Sequence, residues 1–317
     1  MATLHFLIGL PGSGKSTFAK KIAKDNFAVI LSSDNIRKEL FGYENQDNNG
    51  KVFEVMNNRA IELLKNNIDV VYDATNLNEK KRRTIISRAK NVESKIVAYL
   101  CCTQIDKILE RNLTRTERKI PWEKLELMIS SINPPMYYEG FDDIYVINNG
   151  VYDNKDGYID NLMKKCENYN QDNPYHLEPL DMHIKSVIKK VQELAKERNI
   201  EGDALYLLIV AAQFHDLGKI YTRKYKEDKQ CSVYYGHENV SCYLFLCFVS
   251  LFFKEQKLTE ELSNSAILIL NHMEWYKRDD MSVIKNKIGN YLFSLLEILH
   301  EADDWGRNKN AMIGENE

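Results

Sequence analysis

The stretch that decides the fold of the first half of the chain reads Gly9-Leu10-Pro11-Gly12-Ser13-Gly14-Lys15-Ser16-Thr17 and follows the apolar run at residues 4–8. Its spacing matches G-x-x-x-x-G-K-[ST], with a strand pattern before it and an amphipathic helix pattern after it. Glycines in such a loop let consecutive backbone N–H groups turn inward around phosphate oxygens. We expect Lys15 to reach the β- and γ-phosphates and Ser16 to hold Mg²⁺. The stretch therefore predicts a site for ATP or another nucleoside triphosphate. The loop residues predicted to contact the nucleotide are Gly9, Pro11, Gly12, Ser13, Gly14, Lys15, Ser16 and Thr17.

The composition is that of an ordinary globular protein. The length of 317 residues is enough for two cores, and the contents of 44% hydrophobic and 28% charged residues are ordinary. The net charge of −3 excludes a global basic field, so any site for a polyanion must be a local patch. The start of the chain has no basic or cleavage-site pattern, and no apolar run approaches about 18 residues. Six cysteines without a C-x-x-C pair fit reduced thiols. We therefore expect a cytoplasmic protein without a membrane segment.

Apolar, β-rich runs recur through the first half, with helical patterns between the first four. The runs lie at residues 4–8, 27–31, 68–72, 94–101 and 143–147, and the helical patterns include residues 15–25 and 53–66. Near-continuous apolar strands that alternate with helices indicate a parallel sheet with helices on both faces. We therefore predict an α/β P-loop NTPase domain over residues 1–149. A connector rich in Asn, Asp, Gly and Lys is predicted over residues 150–172, with a helix around residues 158–169.

Long helical patterns dominate the second half, and no strand repeat is evident there. They lie at residues 184–198, 205–214, 243–254, 262–273 and 287–302. These patterns predict an all-α domain over residues 173–306. The polar tail at residues 307–317 is expected to fray.

The end of the second predicted strand carries the first candidate catalytic pair. The chain there reads Leu31-Ser32-Ser33-Asp34-Asn35-Ile36-Arg37. Ligands of doubly wound sheets bind outside the carboxyl ends of strands, so Asp34 is expected near the γ-phosphate. A carboxylate there can accept the proton of an attacking hydroxyl, and Arg37, one helical turn on, can hold an anionic acceptor. Without the P-loop, Asp34 would also read as a helix N-cap followed by a surface arginine.

Two further segments complete the predicted nucleotide site. Asp73 ends the third strand in the Walker B position, where it is expected to hold Mg²⁺ through water. After the fourth strand, Arg111, Arg115, Arg118 and Lys119 predict a lid over the triphosphate, in which one arginine stabilises charge in the transition state. By itself such a segment is more often a solvated helix face, and the neighbouring P-loop favours the lid.

Residues 3–135 resemble the 5′-hydroxyl polynucleotide kinase family, as in the kinase module of phage end-healing enzymes. The resemblance is carried by the P-loop, Ser33-Asp34-Asn35-Ile36-Arg37, Asp73-Ala74-Thr75-Asn76-Leu77-Asn78, Arg82-Arg83, and Arg111-Asn112 with Arg115. It implies that Asp34 is the general base for a ribose 5′-hydroxyl, that Arg37 binds the acceptor's 3′ phosphate, and that Arg115 is the lid arginine. Together with Lys15, these are the expected catalytic residues. Small-molecule kinases share much of the pattern, so the acceptor stays open.

Histidines and aspartates recur across the predicted helices of the second half. His215 and Asp216 end an apolar helix, and His183 lies on the helix before it. Neutral imidazoles and carboxylates that project inward from separate helices can hold divalent metal ions. A single histidine would be better explained as structural, but spaced partners around a His-Asp doublet favour one or two ions of Mn²⁺, Fe²⁺, Co²⁺, Ni²⁺ or Zn²⁺. The candidate ligands are His183, His215, Asp216, His237, His272 and Asp303, with Asp304 as the alternative to Asp303.

Residues 173–305 resemble the HD phosphohydrolase superfamily, which is named for the doublet found at residues 215 and 216. The resemblance maps the H…HD…D pattern onto His183, His215, Asp216 and Asp303, and it places His237 and His272 where two-metal members carry further ligands. It implies a metal-dependent phosphohydrolase in which Asp216 bridges the ions. Lys219 is expected to neutralise a phosphate oxygen. The segment Asn173-Pro174-Tyr175-His176 is similar to HD domains attached to tRNA nucleotidyltransferases and places His176 at a structural or substrate-edge position.

The combination resembles the bifunctional end-healing enzymes called HD-Pnk, although here the kinase module comes first. It implies an enzyme that phosphorylates 5′-OH ends of RNA or DNA and removes 2′, 3′ or cyclic phosphates, with a ligase as a partner in the same pathway. The cations available to a short single-stranded end are Arg82, Arg83, Arg111, Arg115 and Arg118. Two alternatives stay open. One is a small-molecule or nucleoside kinase fused to a nucleotide phosphohydrolase, and the other is a nucleotide-gated regulatory module with a silent HD domain.

Overall fold

The computed structural model describes residues 1–42, 48–115, 119–150, 155–252 and 255–307. The chain forms two compact units. The first comprises Met1–Pro121, Ile132–Val151 and Phe252–Leu258, and the second comprises Trp122–Ser131, Tyr152–Leu251 and Thr259–Glu317. Residues 122–131, which the prediction assigns to the first domain, thus belong to the second unit. Residues 252–258, which the prediction assigns to the second domain, belong to the first unit. The domain boundaries at residues 149, 172 and 306 stay a prediction.

Strands of the described residues form a six-stranded sheet in the first unit and a two-stranded hairpin in the second. They are β1 (Thr3–Ile8), β2 (Val29–Ser32), β3 (Val70–Asp73), β4 (Lys95–Cys102), β5 (Asp143–Asn148), β6 (Lys224–Lys226), β7 (Cys231–Val233) and β8 (Glu255–Lys257). The large sheet has the order β2-β3-β1-β4-β5-β8. Strands β1 to β5 pair in parallel, as the apolar runs predicted, and β8 adds an antiparallel edge.

Helices of the first unit pack on the sheet and connect its parallel strands. They are α1 (Lys15–Asn26), α2 (Ser33–Phe41), α3 (Asn49–Lys65), α4 (Glu79–Lys90) and α5 (Ile105–Thr114). The apolar stripe of α1, formed by Phe18, Ala19 and Ile22, packs against the sheet residues Leu7 and Val71. Because the central strands are parallel, the loops that follow β1, β2, β3 and β4 lie at the same edge of the sheet. This edge is where the predicted nucleotide site belongs.

The second unit is mostly helical. Its helices are α6 (Trp122–Ser130), α7 (Lys155–Cys166), α8 (Leu180–Glu197), α9 (Gly202–Phe214), α10 (Lys219–Thr222), α11 (His237–Val249), α12 (Glu260–Asn271) and α13 (Ser282–Trp305). The β6–β7 hairpin corrects the prediction of an all-α unit, because its three-residue strands are too short to give a strand pattern. Helix α11 is buried on nearly all sides, which explains its apolar composition. No helix within the described ranges is long and apolar enough to cross a membrane.

Candidate functional site

The P-loop turns through two glycines whose backbone is left-handed. Gly12 has φ 83° and Gly14 has φ 82°, a region that residues with a Cβ rarely adopt. A Cβ on Gly14 would also lie 2.9 Å from Nδ2 of Asn149. Lys15 starts α1, and its ammonium group donates to the Leu10 carbonyl at 2.8 Å, so the side chain folds back over the loop. Burial lowers the pKa of Lys15. The loop thus has the curvature that the motif predicts, with a buried lysine at its centre.

Two carboxylates lie near the P-loop, one at the end of β3 and one just after β2. Asp73 ends β3, is buried, and accepts a hydrogen bond from the Ser16 hydroxyl. Burial raises the pKa of Asp73, while the Ser16 hydrogen bond and Lys15 oppose that rise. Asp34, in the first turn of α2, is close enough to both Lys15 and Asp73 that its charge raises the pKa of each. The structure therefore brings Lys15, Ser16, Asp34 and Asp73 together, and the Ser16 and Asp73 oxygens are donors that fit Mg²⁺.

Arg37 is fixed between Asp34 and a residue of the next helix. Its Nη1 donates to Oδ1 of Asp34 at 3.1 Å, and its Nη2 donates to Oδ1 of Asn49 at 2.6 Å. The Arg37 side chain is 12% exposed and that of Asp34 is 58% exposed. The carboxylate therefore meets solvent while the guanidinium is held behind it. Sequence reasoning missed Asn49, because a residue 12 positions away at the start of α3 gives no local signal.

The lid arginines have different positions. Arg111 donates to the Gly12 carbonyl at 2.6 Å and to the Asn149 carbonyl at 3.4 Å, so it braces the P-loop. Arg115 is exposed at the C-terminal end of α5, and Arg118 lies outside the described residues. Thr103, which the sequence did not single out, donates to the Ser13 carbonyl at 3.3 Å. Of the two predicted lid arginines that lie in the described ranges, Arg111 is therefore the one with a hydrogen bond to the loop.

Arg82 does not belong to a surface that could bind nucleic acid, so this expectation is wrong. Its side chain is fully buried, and its Nε and Nη2 each donate to Glu139 at 2.7 Å. Its Nη1 donates to the carbonyls of Asn76 at 2.9 Å and Asn133 at 2.7 Å. Arg82 lies on the inner face of α4 and joins chain segments of the core. Its neighbour Arg83 is on the outer face, half exposed, and pairs with Glu79.

Six histidines and aspartates of the second unit form one buried cluster, in which each residue is at most 5% exposed. Asp216 lies at its centre. Oδ2 of Asp216 is 3.2 Å from Nε2 of His183 and 3.4 Å from Nε2 of His215. Oδ1 is 3.1 Å from Nε2 of His237 and 3.8 Å from Nε2 of His272. One carboxylate thus faces two pairs of imidazoles with different oxygens, as a bridging ligand would.

Asp303 completes the first pair. Its Oδ1 is 3.1 Å from Nε2 of His183 and 3.6 Å from Nε2 of His215. Its neighbour Asp304 points elsewhere, with Oδ1 at 3.5 Å from the Tyr276 hydroxyl. Of the two alternatives that the sequence left open, Asp303 is the one that the structure brings to the cluster.

The donor atoms of the cluster fit metal ions. Nδ1 of His215, His237 and His272 each lies 2.7 or 2.8 Å from the carbonyl oxygen three residues earlier, so each Nδ1–H donates there and Nε2 is the ring atom left to bind a metal ion once its own proton has gone. Such second contacts orient metal-binding histidines. Donors around one ion at about 2.1 Å lie about 3.0 to 3.4 Å from each other. The six residues form two groups of possible metal ligands that share Asp216. Within each group the ligand atoms lie within 4.8 Å of one another.

The charges of the cluster also favour a cation. Burial lowers the pKa of His215, but the Asp216 and Asp303 carboxylates outweigh burial and raise this pKa to about 10. Burial raises the pKa of Asp216, and Lys219 with His215 outweighs it and holds this pKa well below its usual range. Burial also raises the pKa of Asp303, but the hydrogen bonds with His183 and His215 outweigh burial and hold this pKa well below its usual range. Two buried carboxylates therefore stay ionised and attract positive charge.

Lys219 supports the cluster from behind. Its ammonium group donates to Oδ2 of Asp216 at 2.7 Å, to Oε1 of Gln171 at 2.9 Å and to Nε2 of His176 at 3.2 Å. These three contacts account for all three N–H donors. The expected contact with a substrate phosphate is therefore replaced by contacts within the protein. His176, whose Nε2 accepts from Lys219, lies beside the cluster rather than in it.

Comparisons with known proteins add to this geometry. Residues 4–135 match the family model described as AAA domain. L-seryl-tRNA(Sec) kinase of Methanococcus maripaludis is similar, with 27% identity over 208 residues that cover 64% of this chain and 80% of the relative. The structure of the Pnkp1/Rnl/Hen1 RNA repair complex is 26% identical, with a TM-score of 0.37 over 41% of this chain and 43% of that chain. Chaetomium thermophilum Kti12 in complex with ADP-AlF3 is 17% identical, with a TM-score of 0.39 over 46% of this chain and 88% of that chain.

The matched residues and the site geometry together define a P-loop domain of the kinase type. The match spans β1 to β4, the P-loop and both candidate carboxylates. The chain covers less than half of the Pnkp1/Rnl/Hen1 chain to which it is similar. ATP with Mg²⁺ is the cofactor that such a domain uses.

Proposed function

We propose that the chain is a two-site enzyme that heals the ends of broken RNA. Its first unit phosphorylates a 5′-hydroxyl end with ATP, and its second unit, an HD-type phosphohydrolase, removes 2′, 3′ or cyclic phosphates with divalent metal ions. The observation that carries this proposal is the presence of two complete donor sets in one chain. One is the P-loop with Asp34, Arg37 and Asp73, and the other is the histidine–aspartate cluster around Asp216.

The kinase step follows from the arrangement at the sheet edge. Asp34 accepts the proton of the 5′-hydroxyl as the 5′ oxygen bonds to the γ-phosphorus, and the bond from that phosphorus to the β–γ bridging oxygen breaks to release ADP. Arg37 holds the acceptor through its neighbouring phosphate, and Lys15 neutralises charge on the transferred group. Mg²⁺, when bound by Ser16 and Asp73, neutralises charge on the β- and γ-phosphates.

The hydrolytic step uses the buried cluster. Metal ions, when bound there, supply hydroxide at neutral pH and hold the phosphate. Asp216 would be shared by two such ions, of which His183, His215 and Asp303 would hold one and His237 and His272 the other. Removal of a cyclic phosphate takes two waters. The first breaks one ribose P–O bond, which frees one hydroxyl and leaves a 2′ or 3′ phosphomonoester, and the second breaks the remaining ribose P–O bond and releases inorganic phosphate. Many ribonucleases leave a 5′-hydroxyl and a cyclic phosphate, so the two activities act on the two ends of one break.

Label transfer tests the kinase half. γ-Labelled ATP and a short 5′-OH RNA are incubated with the wild type, Asp34→Ala and the control Asp25→Ala, whose side chain is exposed on α1. We expect the Asp34 variant to lose about 100-fold or more in kcat, because it lacks the base, and the control to match the wild type. ATP hydrolysis without transfer to RNA would refute the polynucleotide acceptor.

A matched pair of neighbouring aspartates tests the hydrolase half. Phosphate release from an RNA ending in a 2′,3′-cyclic or 2′ phosphate is measured with Mn²⁺, Fe²⁺ (under anaerobic conditions), Co²⁺, Ni²⁺ or Zn²⁺ for the wild type, Asp303→Asn and Asp304→Asn. We expect the Asp303 variant to lose activity and the Asp304 variant to keep it, because Asp303 alone of the two faces the histidines. No release by the wild type with any of these metals would refute this half and leave the kinase result standing.

A second candidate acceptor comes from the similarity to L-seryl-tRNA(Sec) kinase. A hydroxyl on an RNA-borne amino acid could occupy the place proposed for the 5′-hydroxyl beside Asp34. Transfer to seryl-tRNA, a 5′-OH RNA and a mononucleoside, compared at equal concentrations, distinguishes the candidates by kcat/KM. We expect the 5′-OH RNA to be the best acceptor.

A further inference from the structure

Arg307 lies at the border of the histidine–aspartate cluster, although the sequence assigned it to a frayed polar tail. It follows the end of α13 by two residues, one helical turn after Asp303. Its side chain is only 10% exposed, and its Nη2 is 3.8 Å from Oδ2 of Asp303. The other oxygen of that carboxylate faces His183 and His215. One carboxylate therefore separates the guanidinium from the proposed metal site.

The Arg307 guanidinium packs on an aromatic ring. Its central carbon lies 3.7 Å from the centre of the Tyr276 ring, a close cation–π contact. The Tyr276 hydroxyl is directed to Asp304, and His300 packs against the edge of the same ring at 5.1 Å. Tyr276 thus contacts the guanidinium without using its hydrogen-bond donors.

The donors of this buried guanidinium are poorly satisfied. Nε of Arg307 has no hydrogen-bond partner among the residues that the structure describes. Nη2 approaches the Met273 sulfur at 4.0 Å, and its 3.8 Å distance from Asp303 is too long for a hydrogen bond. Unmet donors on a buried cation are costly, and a planar guanidinium is the group best shaped to bind two phosphate oxygens at once. The arrangement fits an anionic ligand.

Lys219 is the other cation beside the cluster in the described part of the second unit, and it does not compete for this role. Its three N–H donors already bind Asp216, Gln171 and His176. Arg307 lies on the Asp303 side of the cluster instead, and its Nε has no hydrogen-bond partner among the described residues. We propose that Arg307 binds the phosphate group of the substrate at the second site, through Nε and Nη2 to two phosphate oxygens. This inference rests on the proposed function in so far as the cluster holds the metal ions.

Binding of inorganic phosphate tests the inference without relying on turnover. Phosphate is titrated calorimetrically into the full chain loaded with Mn²⁺, with the P-loop filled by a non-hydrolysable ATP analogue and Mg²⁺. The proteins are the wild type, Arg307→Gln, Arg307→Lys and the control Arg278→Gln, whose arginine is 37% exposed and pairs with Glu274. Bound manganese is measured on the same samples.

We expect Arg307→Gln to weaken phosphate binding about 10- to 100-fold with unchanged manganese content, because two charged hydrogen bonds are lost. Arg307→Lys keeps the positive charge but not the paired Nε and Nη2 donors, so its phosphate affinity should lie between those of Arg307→Gln and the wild type. Arg278→Gln should match the wild type. Lysine at position 307 also keeps the test decisive should the glutamine variant fold poorly.

Three outcomes would overturn the inference. They are unchanged phosphate affinity in both Arg307 variants, absence of phosphate binding by the wild type, and a loss of manganese that accounts for the loss of phosphate. The last would mean that Arg307 merely supports Asp303. Arg307-dependent phosphate binding without release of phosphate from RNA ends would instead refute the proposed hydrolase function and leave the phosphate site standing.

Discussion

The ammonium nitrogen of Lys219 lies 2.7 Å from Oδ2 of Asp216, the same oxygen that faces His183 and His215. A buried lysine thus fixes the carboxylate on which the whole cluster converges. Because Lys219 is held in turn by Gln171 and His176, Asp216 cannot rotate without breaking several charged hydrogen bonds. This explains how its two oxygens stay turned toward different histidine pairs.

Replacing Lys219 by Met should destabilise the metal-free protein far more than the metal-loaded protein. Without the lysine, Asp216 is a buried charge that has lost a partner, which costs about 3 to 5 kcal/mol in free energy of unfolding. A bound divalent ion supplies positive charge and should recover much of that loss. Urea unfolding in chelator and in excess Mn²⁺ measures both states, with the exposed Lys224→Met on β6 as the control. Equal losses in both conditions would show that Lys219 acts through packing alone.

Neighbouring arginines of α4 should differ sharply in their effect on stability. Glu139→Gln leaves the fully buried Arg82 without its carboxylate and should lower the free energy of unfolding by about 3 to 5 kcal/mol. Arg83→Gln removes a half-exposed pair and should change it by about 0.5 kcal/mol or less. Urea midpoints of the two variants provide the comparison. A small effect of Glu139→Gln would mean that Arg82 finds other acceptors in the core.

Much of the first unit could be predicted from sequence because its signals are local. The P-loop motif, the apolar strands and the polar residues at strand ends each span a few neighbouring positions, and parallel pairing then brings Asp34 and Asp73 to the P-loop. The edge strand β8 could not be predicted in this way. It comes from residue 255 onward and pairs with β5 more than 100 positions earlier, and its three residues carry no apolar run.

The cluster could be predicted as a set but not in its surroundings. Histidines and aspartates on separate helices stand out as residue types that are rarely buried without a partner. The supporting residues Lys219, Gln171 and Arg307 are common surface types, and only tertiary packing buries them. The prediction that Arg82 is available to a nucleic acid was wrong for the same reason. Its partner Glu139 lies 57 residues away, and nothing near either residue in the sequence marks the pair.

Asp143 should make the stability of the first unit depend on acid pH. Hydrogen bonds from Lys257 and Lys95 hold the pKa of this carboxyl below its usual value of 3.8. A lowered pKa means that the stabilisation is complete above that usual value and is lost as the pH falls below it through the lowered pKa. Asp143→Asn should therefore be about 1 kcal/mol less stable than the wild type at pH 7, with the difference shrinking as the pH falls below 3.8. Urea unfolding across this range measures it, with the exposed Asp25→Asn as the control. A constant difference at all pH values would exclude the charge as the cause.

Gly306 should control the position of His183. Unlike the other three histidines of the cluster, His183 has an Nδ1 without a hydrogen-bond partner among the described residues, so packing must set its orientation. A Cβ on Gly306 would lie 3.1 Å from Nδ1 and 3.2 Å from Cε1 of His183, close enough to push the ring by a few tenths of an ångström. The backbone of Gly306 has φ −75°, so alanine would add this contact without backbone strain.

We therefore expect Gly306→Ala to weaken binding of one Mn²⁺ about tenfold, because His183 faces both Asp216 and Asp303, while ATP-dependent phosphoryl transfer stays unchanged. The matched control is Gly50→Ala, since a Cβ at that helical position would have no neighbour within 4 Å. Manganese titration of both variants gives the answer. Wild-type affinity in Gly306→Ala would mean that the ring of His183 can move without cost, and that Asp303 and Asp216 rather than packing decide where its Nε2 points.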